Sequence, residues 1–188
     1  RDSLEIVPFH MEHNAEPEAV DLLLEVEKLD VLLSNVTDAN YARTCLYLFS
    51  CANYLPEPED AIVLKTAHSI FMKVGKMPDA MRVALKLCEQ SIIEETFNAC
   101  TDMTIKKQLC YMLARHGHPL KLDEGPCEVE GEHLDTLQDI MSHSDLTKNY
   151  LTLARDLDVM EPKLPEDIYK SHLMEVRAPS GAAVDSAR

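Results

Sequence analysis

Apolar side chains recur along most of this chain at the spacing of an amphipathic α-helix. One stripe consists of Tyr41, Cys45, Leu48, Phe49, Ala52 and Leu55. A second stripe consists of Ile62, Ala67, Ile70, Phe71 and Val74. Positions three, four and seven apart share one face of a helix, so these stripes predict helices. No segment shows the period of two that a half-buried strand requires.

Prolines followed by acids mark where several of these helices begin, at Pro17-Glu18, Pro58-Glu59, Pro78-Asp79 and Pro165-Glu166. Proline loses nothing at the first helical position, and an acid there meets the positive end of the helix dipole. Gly75 and Gly117 follow helical runs as C-terminal caps do, and residues 91–94 (Ser-Ile-Ile-Glu) have the form of a capping box. Pro8 is expected to kink or split the first helix.

These signals predict about nine helices, written as ten ranges because one helix is expected to be broken, with short links that favour antiparallel neighbours. The predicted ranges are 3–12, 17–34, 38–54, 58–74, 78–88, 91–100, 103–116, 132–142, 145–157 and 165–176.

A repeat underlies this pattern. Residues 17–26 align with residues 78–87, about sixty positions later, and both copies continue into a second apolar run, at 31–32 and 92–93. Repeated helical units that stack on their neighbours form scaffolds and binding surfaces. The predicted fold is therefore all-α, with antiparallel helix hairpins stacked as an irregular α-solenoid.

The longer helices that follow each copy align through residues 45–48 and 109–112. Leu48 then corresponds to Met112, and we expect both to face the core between helices. Tyr47 corresponds to Tyr111. An aromatic side chain at a repeat position can line a peptide groove, but we interpret both tyrosines as inter-helix packing.

Residues 119–132 interrupt the helical pattern with glycine, proline and five acids between Asp123 and Glu132. With little to bury, this segment is predicted to be an exposed, mobile acidic loop. Residues 178–188 have the composition of a flexible linker. The predicted organisation is a helical-repeat region over 1–177 followed by this linker.

The net charge of −15 disfavours nucleic acid as a partner, because phosphates require neutralisation by lysine and arginine. It equally disfavours an anionic membrane surface, and no apolar run is long enough to cross a bilayer. Six cysteines without a CxxC pair suggest reduced thiols and a location in the cytoplasm and nucleus. Cys45 and Cys110 lie on apolar stripes and are predicted to be buried and reduced.

Candidate chemistry is sparse. His10 and His13 could share a helical face beside Glu12 and bind a metal, but no third or fourth ligand is indicated, so we interpret them as surface histidines. His116 and His118 fall at a helix end, where a cationic ring suits the negative end of the dipole.

Cys45 and Cys51 could act as nucleophiles only with a lowered pKa and a paired base. The acid pairs Glu57 with Glu59 and Asp135 with Asp139 are expected on solvated faces of so acidic a chain. No phosphate loop, GxSxG or HExxH motif is present. The chain is therefore predicted not to be an enzyme, and no catalytic, cofactor-binding or metal-binding residue is assigned.

Long strings at residues 2–11, 53–59, 153–163, 165–173 and 184–188 resemble the non-ATPase regulatory subunit 2 family of the 26S proteasome. These are large scaffold subunits in the base of the regulatory particle, and the resemblance covers essentially the whole chain. It implies a non-enzymatic segment that precedes a toroid of repeats. The implied partners are base subunits including the ATPase ring, with ubiquitin-like shuttle proteins and a deubiquitinase reached through the parent chain.

Two functional hypotheses result. In the first, the chain is a scaffold segment that supports ATP-dependent degradation of ubiquitinated proteins by assembling with base subunits. In the second, it is itself a receptor that binds ubiquitin or ubiquitin-like domains in a helical groove, where its acidity would suit a basic face. The family's receptor site is implied to lie in the toroid, so the partner-binding residues of this chain are left unassigned.

Overall fold

A computed structural model describes residues 2–129, 131, 133–161 and 164–165. The chain divides into two units, residues 1–143 and 144–188. The first unit contains α1 (Asp2–Glu12), α2 (Glu16–Glu25), a 3-10 turn (Leu29–Val31), α3 (Leu32–Asn35), α4 (Tyr41–Ala52), α5 (Glu59–Lys73), α6 (Met77–Leu87), α7 (Gln90–Ala99), α8 (Met103–His116) and α9 (Leu134–Met141). The second contains α10 (Ser144–Asp156). All regular elements within these ranges are helical, which confirms the all-α prediction.

Successive helices of the first unit pack on one another. α1 contacts α2, α4 contacts α5, α5 contacts α6, and α8 contacts both α6 and α9. Apart from the long segment between α8 and α9, their connections are short, so they form stacked hairpins, in agreement with the predicted α-solenoid.

Two buried clusters fill this unit, and α6 contributes to both. Its Ala80 and Val83 belong to the first cluster, with α1 to α5. Its Met81, Ala84 and Leu85 belong to the second cluster, with α7 to α9. A helix that is apolar on two faces must be covered on both sides, so α6 lies at the centre of the stack.

The first part of the predicted repeat is visible in the burial pattern. Ala19, Val20 and Leu23 of α2 are fully buried. Their counterparts Ala80, Met81 and Ala84 of α6 are fully buried as well. The alignment of these two helices is therefore confirmed.

The alignment of the longer helices is wrong by one residue. α4 buries Thr44, Cys45 and Leu48, whereas α8 buries Leu109, Cys110 and Leu113. Leu48 therefore corresponds in packing to Leu113, and Met112 is only half-buried. The same burial pattern pairs Cys45 with Cys110, so the sequence alignment of these two helices was displaced by one position.

The two tyrosines consequently differ. Tyr47 is half-buried against the first cluster and donates a hydrogen bond to Asp21 at 2.8 Å. Tyr111 is 52% exposed. The interpretation as inter-helix packing fits Tyr47 and is wrong for Tyr111.

The predicted helix over 17–34 is interrupted. α2 ends at Glu25, and Glu27 adopts a left-handed backbone with φ of 54°. The Lys28 amide closes this turn on the Leu23 carbonyl at 2.9 Å, so the chain reverses before the 3-10 turn. Pro8, in contrast, lies within an unbroken α1.

The helix starts at α7 and α8 also differ from expectation. α7 begins at Gln90 without a side-chain cap, so the capping box predicted at Ser91 is wrong. α8 is capped by Asp102, whose carboxylate accepts hydrogen bonds from the Thr104 and Ile105 amides. Gly117 ends α8 with φ of 72°, as predicted.

The segment 119–129 buries more than predicted. Leu120, Leu122 and Cys127 join the second cluster with exposures of 8%, 1% and 2%. The Asn98 side chain donates a hydrogen bond to the Pro126 carbonyl at 2.9 Å. The expectation that this loop has little to bury is therefore wrong, although its acids at 123, 124 and 128 are exposed. Its mobility remains a prediction.

The predicted helix at 165–176 and the predicted linker at 178–188 lie outside the described residues, apart from residue 165.

Candidate functional site

A concave surface of the first unit lies between the α2–α3 segment and α5, and we call it the acidic groove. Its volume is about 640 Å³. It is lined by Leu23, Leu24, Glu27, Leu29, Asp30, Leu33, Pro58, Glu59, Ile62, Lys65, Thr66 and Ser69. Pockets that bind ligands in proteins have volumes of roughly 300–1,000 Å³, so this groove is large enough to take several side chains of a partner.

The acidic groove lies beside the turn that follows α2. The left-handed Glu27 turns the chain so that Leu29 enters the core, where it is 5% exposed. The next residues form only a 3-10 turn and one turn of α-helix, so a full helix does not cover this side of α5. Lys73 of α5 donates hydrogen bonds to the carbonyls of Leu33 and Val36, which fixes the end of α3 against α5. Both walls are therefore held in place.

The rim of the groove is acidic. Glu27, Asp30 and Glu59 line it and are exposed. Lys65 also lines it, but its ammonium group is paired with the Glu89 carboxylate at 2.7 Å. The floor is aliphatic, so the groove combines an apolar base with negative charge at the edge. That combination can bind apolar side chains that have lysine or arginine beside them.

A second polar feature joins α4 to the start of α2. The Glu16 side chain is 2% exposed and accepts two hydrogen bonds from Arg43, at 2.6 and 3.0 Å. Arg43 also donates to the Asn14 side chain at 2.7 Å. Burial alone would raise the pKa of the Glu16 carboxyl, but the hydrogen bonds from Arg43, a backbone hydrogen bond and the charge of Arg43 together lower that pKa. We interpret this pair as structural, since it satisfies a buried charge.

A third polar contact lies between α5 and α7. His68 is 6% exposed, and its Nε2 lies 2.8 Å from the Thr96 hydroxyl. That hydroxyl donates its proton to the Ile92 carbonyl at 2.7 Å, so the imidazole is the donor to Thr96. Burial lowers the pKa of His68, with an opposing effect from Glu95. The imidazole therefore serves as a neutral link between helices.

Burial dominates the environment of the cysteines that the sequence raised as possible nucleophiles. Cys45 and Cys110 are 1% and 0% exposed, as predicted, and burial raises the pKa of each thiol to about 12. Burial also raises the pKa of the half-buried Cys51. A thiol nucleophile reacts as its thiolate, so these positions are poorly suited to nucleophilic chemistry. Cys88 is exposed, with its sulfur 3.5 Å from Nε2 of His118.

The histidines singled out in the sequence differ in burial: His13 and His116 are exposed, whereas His10 and His118 are half-buried. The His13 ring stacks on Phe9 with 4.0 Å between centroids, and its Nδ1 lies 2.8 Å from the Phe9 carbonyl. His10 lies half-buried one turn before the end of α1. Within the described ranges, no three His, Cys, Asp or Glu side chains are grouped so that they could hold a metal.

The acid pairs Glu57 with Glu59 and Asp135 with Asp139 are exposed, as the composition suggested. The groove contains one of these acids, Glu59, together with Glu27 and Asp30, which the sequence did not single out. In the part of the chain that the structure describes, no helix has the length and apolar character needed to span a membrane.

Comparisons with known proteins agree along nearly the whole chain. A family model described as the RPN1 N-terminal domain matches residues 3–174. The 26S proteasome non-ATPase regulatory subunit 2 homolog B of Arabidopsis thaliana is 52% identical over 98% of this chain. The Dictyostelium discoideum 26S proteasome non-ATPase regulatory subunit 2 is 42% identical over 98%, and the 26S proteasome regulatory subunit RPN1 of Candida glabrata is 40% identical over 99%. This chain spans only about a fifth of the length of each, at 20%, 19% and 18%.

Proposed function

The chain belongs to the RPN1 N-terminal domain family of proteasome regulatory subunits, and from this premise we propose that it is a non-catalytic scaffold segment of the regulatory particle. It supports ATP-dependent degradation of ubiquitinated proteins by assembling with subunits of the base, including the ATPase ring. The observation that carries this proposal is the family match over residues 3–174, which includes the stacked helices α1 to α9 of the first unit. Stacked helical repeats present rigid surfaces to neighbouring proteins.

Partners that act on ubiquitin are proposed for the parent protein rather than for this chain alone. Ubiquitin-like shuttle proteins and a deubiquitinase would reach the particle through the parent polypeptide. We further propose a location in the cytoplasm and nucleus, since six free thiols suit a reducing compartment. Imaging of the tagged parent protein tests the location.

Assembly with base subunits tests the scaffold function. The full chain should co-elute with a purified base subassembly in size-exclusion chromatography and should form cross-links to it. An unfolded control, Leu48→Asp, should lose this association because it places a charge in the first buried cluster. A folded wild-type chain that never associates with base subunits would contradict the proposal.

The receptor hypothesis is the second candidate, and the acidic groove favours it. Many recognition surfaces use charge complementarity, and a basic face of a ubiquitin-like domain would complement the rim acids. Titration of the full chain with ubiquitin and with a ubiquitin-like domain, followed by NMR, tests this candidate. Saturable shifts at the groove residues would support a receptor role, and their absence would leave the scaffold function alone.

A further inference from the structure

We propose that the acidic groove binds an amphipathic helix of a neighbouring subunit, with aliphatic side chains on one face and lysine or arginine beside them. This inference rests on the proposed scaffold function, because it names the class of partner that the scaffold holds. The groove is concave, aliphatic at its base and acidic at its rim. Each of these properties restricts the occupant.

The aliphatic lining of the groove indicates that the partner's anchoring side chains are apolar. Leu23 and Leu29 form a buried base, Leu24 and Leu33 are half-buried, and Ile62 is 51% exposed on the α5 wall. Exposed apolar surface with a polar rim is typical of protein interaction sites. A partner that covers Ile62 removes its apolar surface from water, which gives a hydrophobic contribution to binding.

The shape favours a helix over a folded domain. A cleft of about 640 Å³ between helical segments accommodates one row of side chains. Helices bind such grooves with anchors at positions i, i+3 or i+4, and i+7.

The charge selects a basic partner. Among the described residues, no ion pair is found for Glu27, Asp30 or Glu59. Lys65 does not neutralise them, because it is held by Glu89. The uncompensated rim therefore attracts lysine and arginine and raises the association rate of a basic helix.

The walls are already ordered, which limits the entropy lost on binding. The Lys28 amide is fixed to the Leu23 carbonyl, and Lys73 holds the end of α3 against α5. Preorganised grooves lose little conformational entropy when a partner binds. A short helix can therefore bind with measurable affinity.

Fluorescence titration of the full chain with a labelled peptide tests the inference. The probe is a fifteen-residue helical peptide with leucine at positions i, i+4 and i+7 and lysine flanking them. We expect a Kd of about 10–100 μM and a several-fold weakening between about 50 and 300 mM salt. A peptide with glutamate in place of lysine should not bind.

Two groove variants and two matched controls locate the binding site. Ile62→Lys should weaken binding at least about ten-fold, since it removes an apolar contact and adds repulsion. The exposed control Leu46→Lys, on α4 outside the groove, should change it less than about two-fold. The double variant Asp30→Asn with Glu59→Gln should flatten the salt dependence, whereas Glu18→Gln should not.

Urea unfolding of each variant separates loss of binding from loss of fold. Equal weakening by Ile62→Lys and Leu46→Lys in folded chains would overturn the inference, as would NMR shifts that show a ubiquitin-like domain displacing the peptide from the groove. Base association that is unaffected by Ile62→Lys would also overturn it while the scaffold function stands. Salt-sensitive peptide binding at the groove without any base association would support the groove chemistry and contradict the scaffold function.

Discussion

Shortening two adjacent side chains of α8 to alanine, one at a time, tests which face of this helix is packed against the core. Leu113 is fully buried in the second cluster, whereas Met112 is half-buried. Leu113→Ala should reduce the free energy of unfolding by about 2–5 kcal/mol, from lost burial and the remaining cavity. Met112→Ala should reduce it by about 1 kcal/mol, since solvent already reaches part of its side chain. Leu48→Ala in α4 should behave like Leu113→Ala.

Urea unfolding followed by circular dichroism measures these differences. With a slope of about 2 kcal/mol/M, the Leu113 and Leu48 variants should shift the midpoint down by about 1–2.5 M. Met112→Ala should shift it by about 0.5 M. Glu95→Ala, which removes an exposed acid of α7, is the control and should stay within about 0.5 kcal/mol of wild type.

Which of the two α8 variants is less stable decides which face of α8 is buried. If Met112→Ala destabilises the chain more than Leu113→Ala, then α8 presents the face that the sequence alignment predicted, and the one-residue correction of that alignment is wrong. Leu113→Ala unfolding at the wild-type midpoint would likewise refute the burial argument. Equal slopes across the variants are required, because a changed slope indicates an altered unfolded state.

Three further results are expected. Lowering the pH below about 6.5 should reduce the free energy of unfolding, because burial lowers the pKa of His68 in the folded chain, so the unfolded chain binds more protons. Urea titrations at pH 5.5 and 7.5 measure this dependence, and His68→Gln should diminish it. Maleimide labelling followed by mass spectrometry should modify the exposed Cys88 first, with Cys45 and Cys110 protected until the chain unfolds. Asp102→Ala should remove the α8 cap and cost about 0.5–2 kcal/mol in urea unfolding, whereas Asp102→Asn should retain most of it.

Much of the fold followed from local signals in the sequence. The apolar period gave the helices of the first unit, and Gly117 marked the end of α8 because its left-handed backbone suits glycine. Glu27 and Cys88 adopt the same left-handed region at the ends of α2 and α6 without being glycine. Such ends carry no local signal, so the break after α2 could not be predicted.

Polar contacts between residues far apart in the chain could not be predicted from the sequence either. Glu16 and Arg43 lie far apart along the chain, and in an acidic chain one glutamate among many does not stand out. The sequence pattern shows which faces are apolar, but it does not show which charges meet when helices stack. The same limit applies to the groove, whose rim acids Glu27, Asp30 and Glu59 come from two separate segments.

The two repeat copies diverge at the position where the candidate site forms. The copies share buried positions in α2 and α6, but the next segment differs. In the second copy it is the ten-residue helix α7. In the first copy it is a 3-10 turn followed by the four-residue α3. Asp30 of the shorter segment and Ile62 of α5 both line the acidic groove. The groove therefore lies at the segment in which the two copies differ, with α2 and α5 on either side of it.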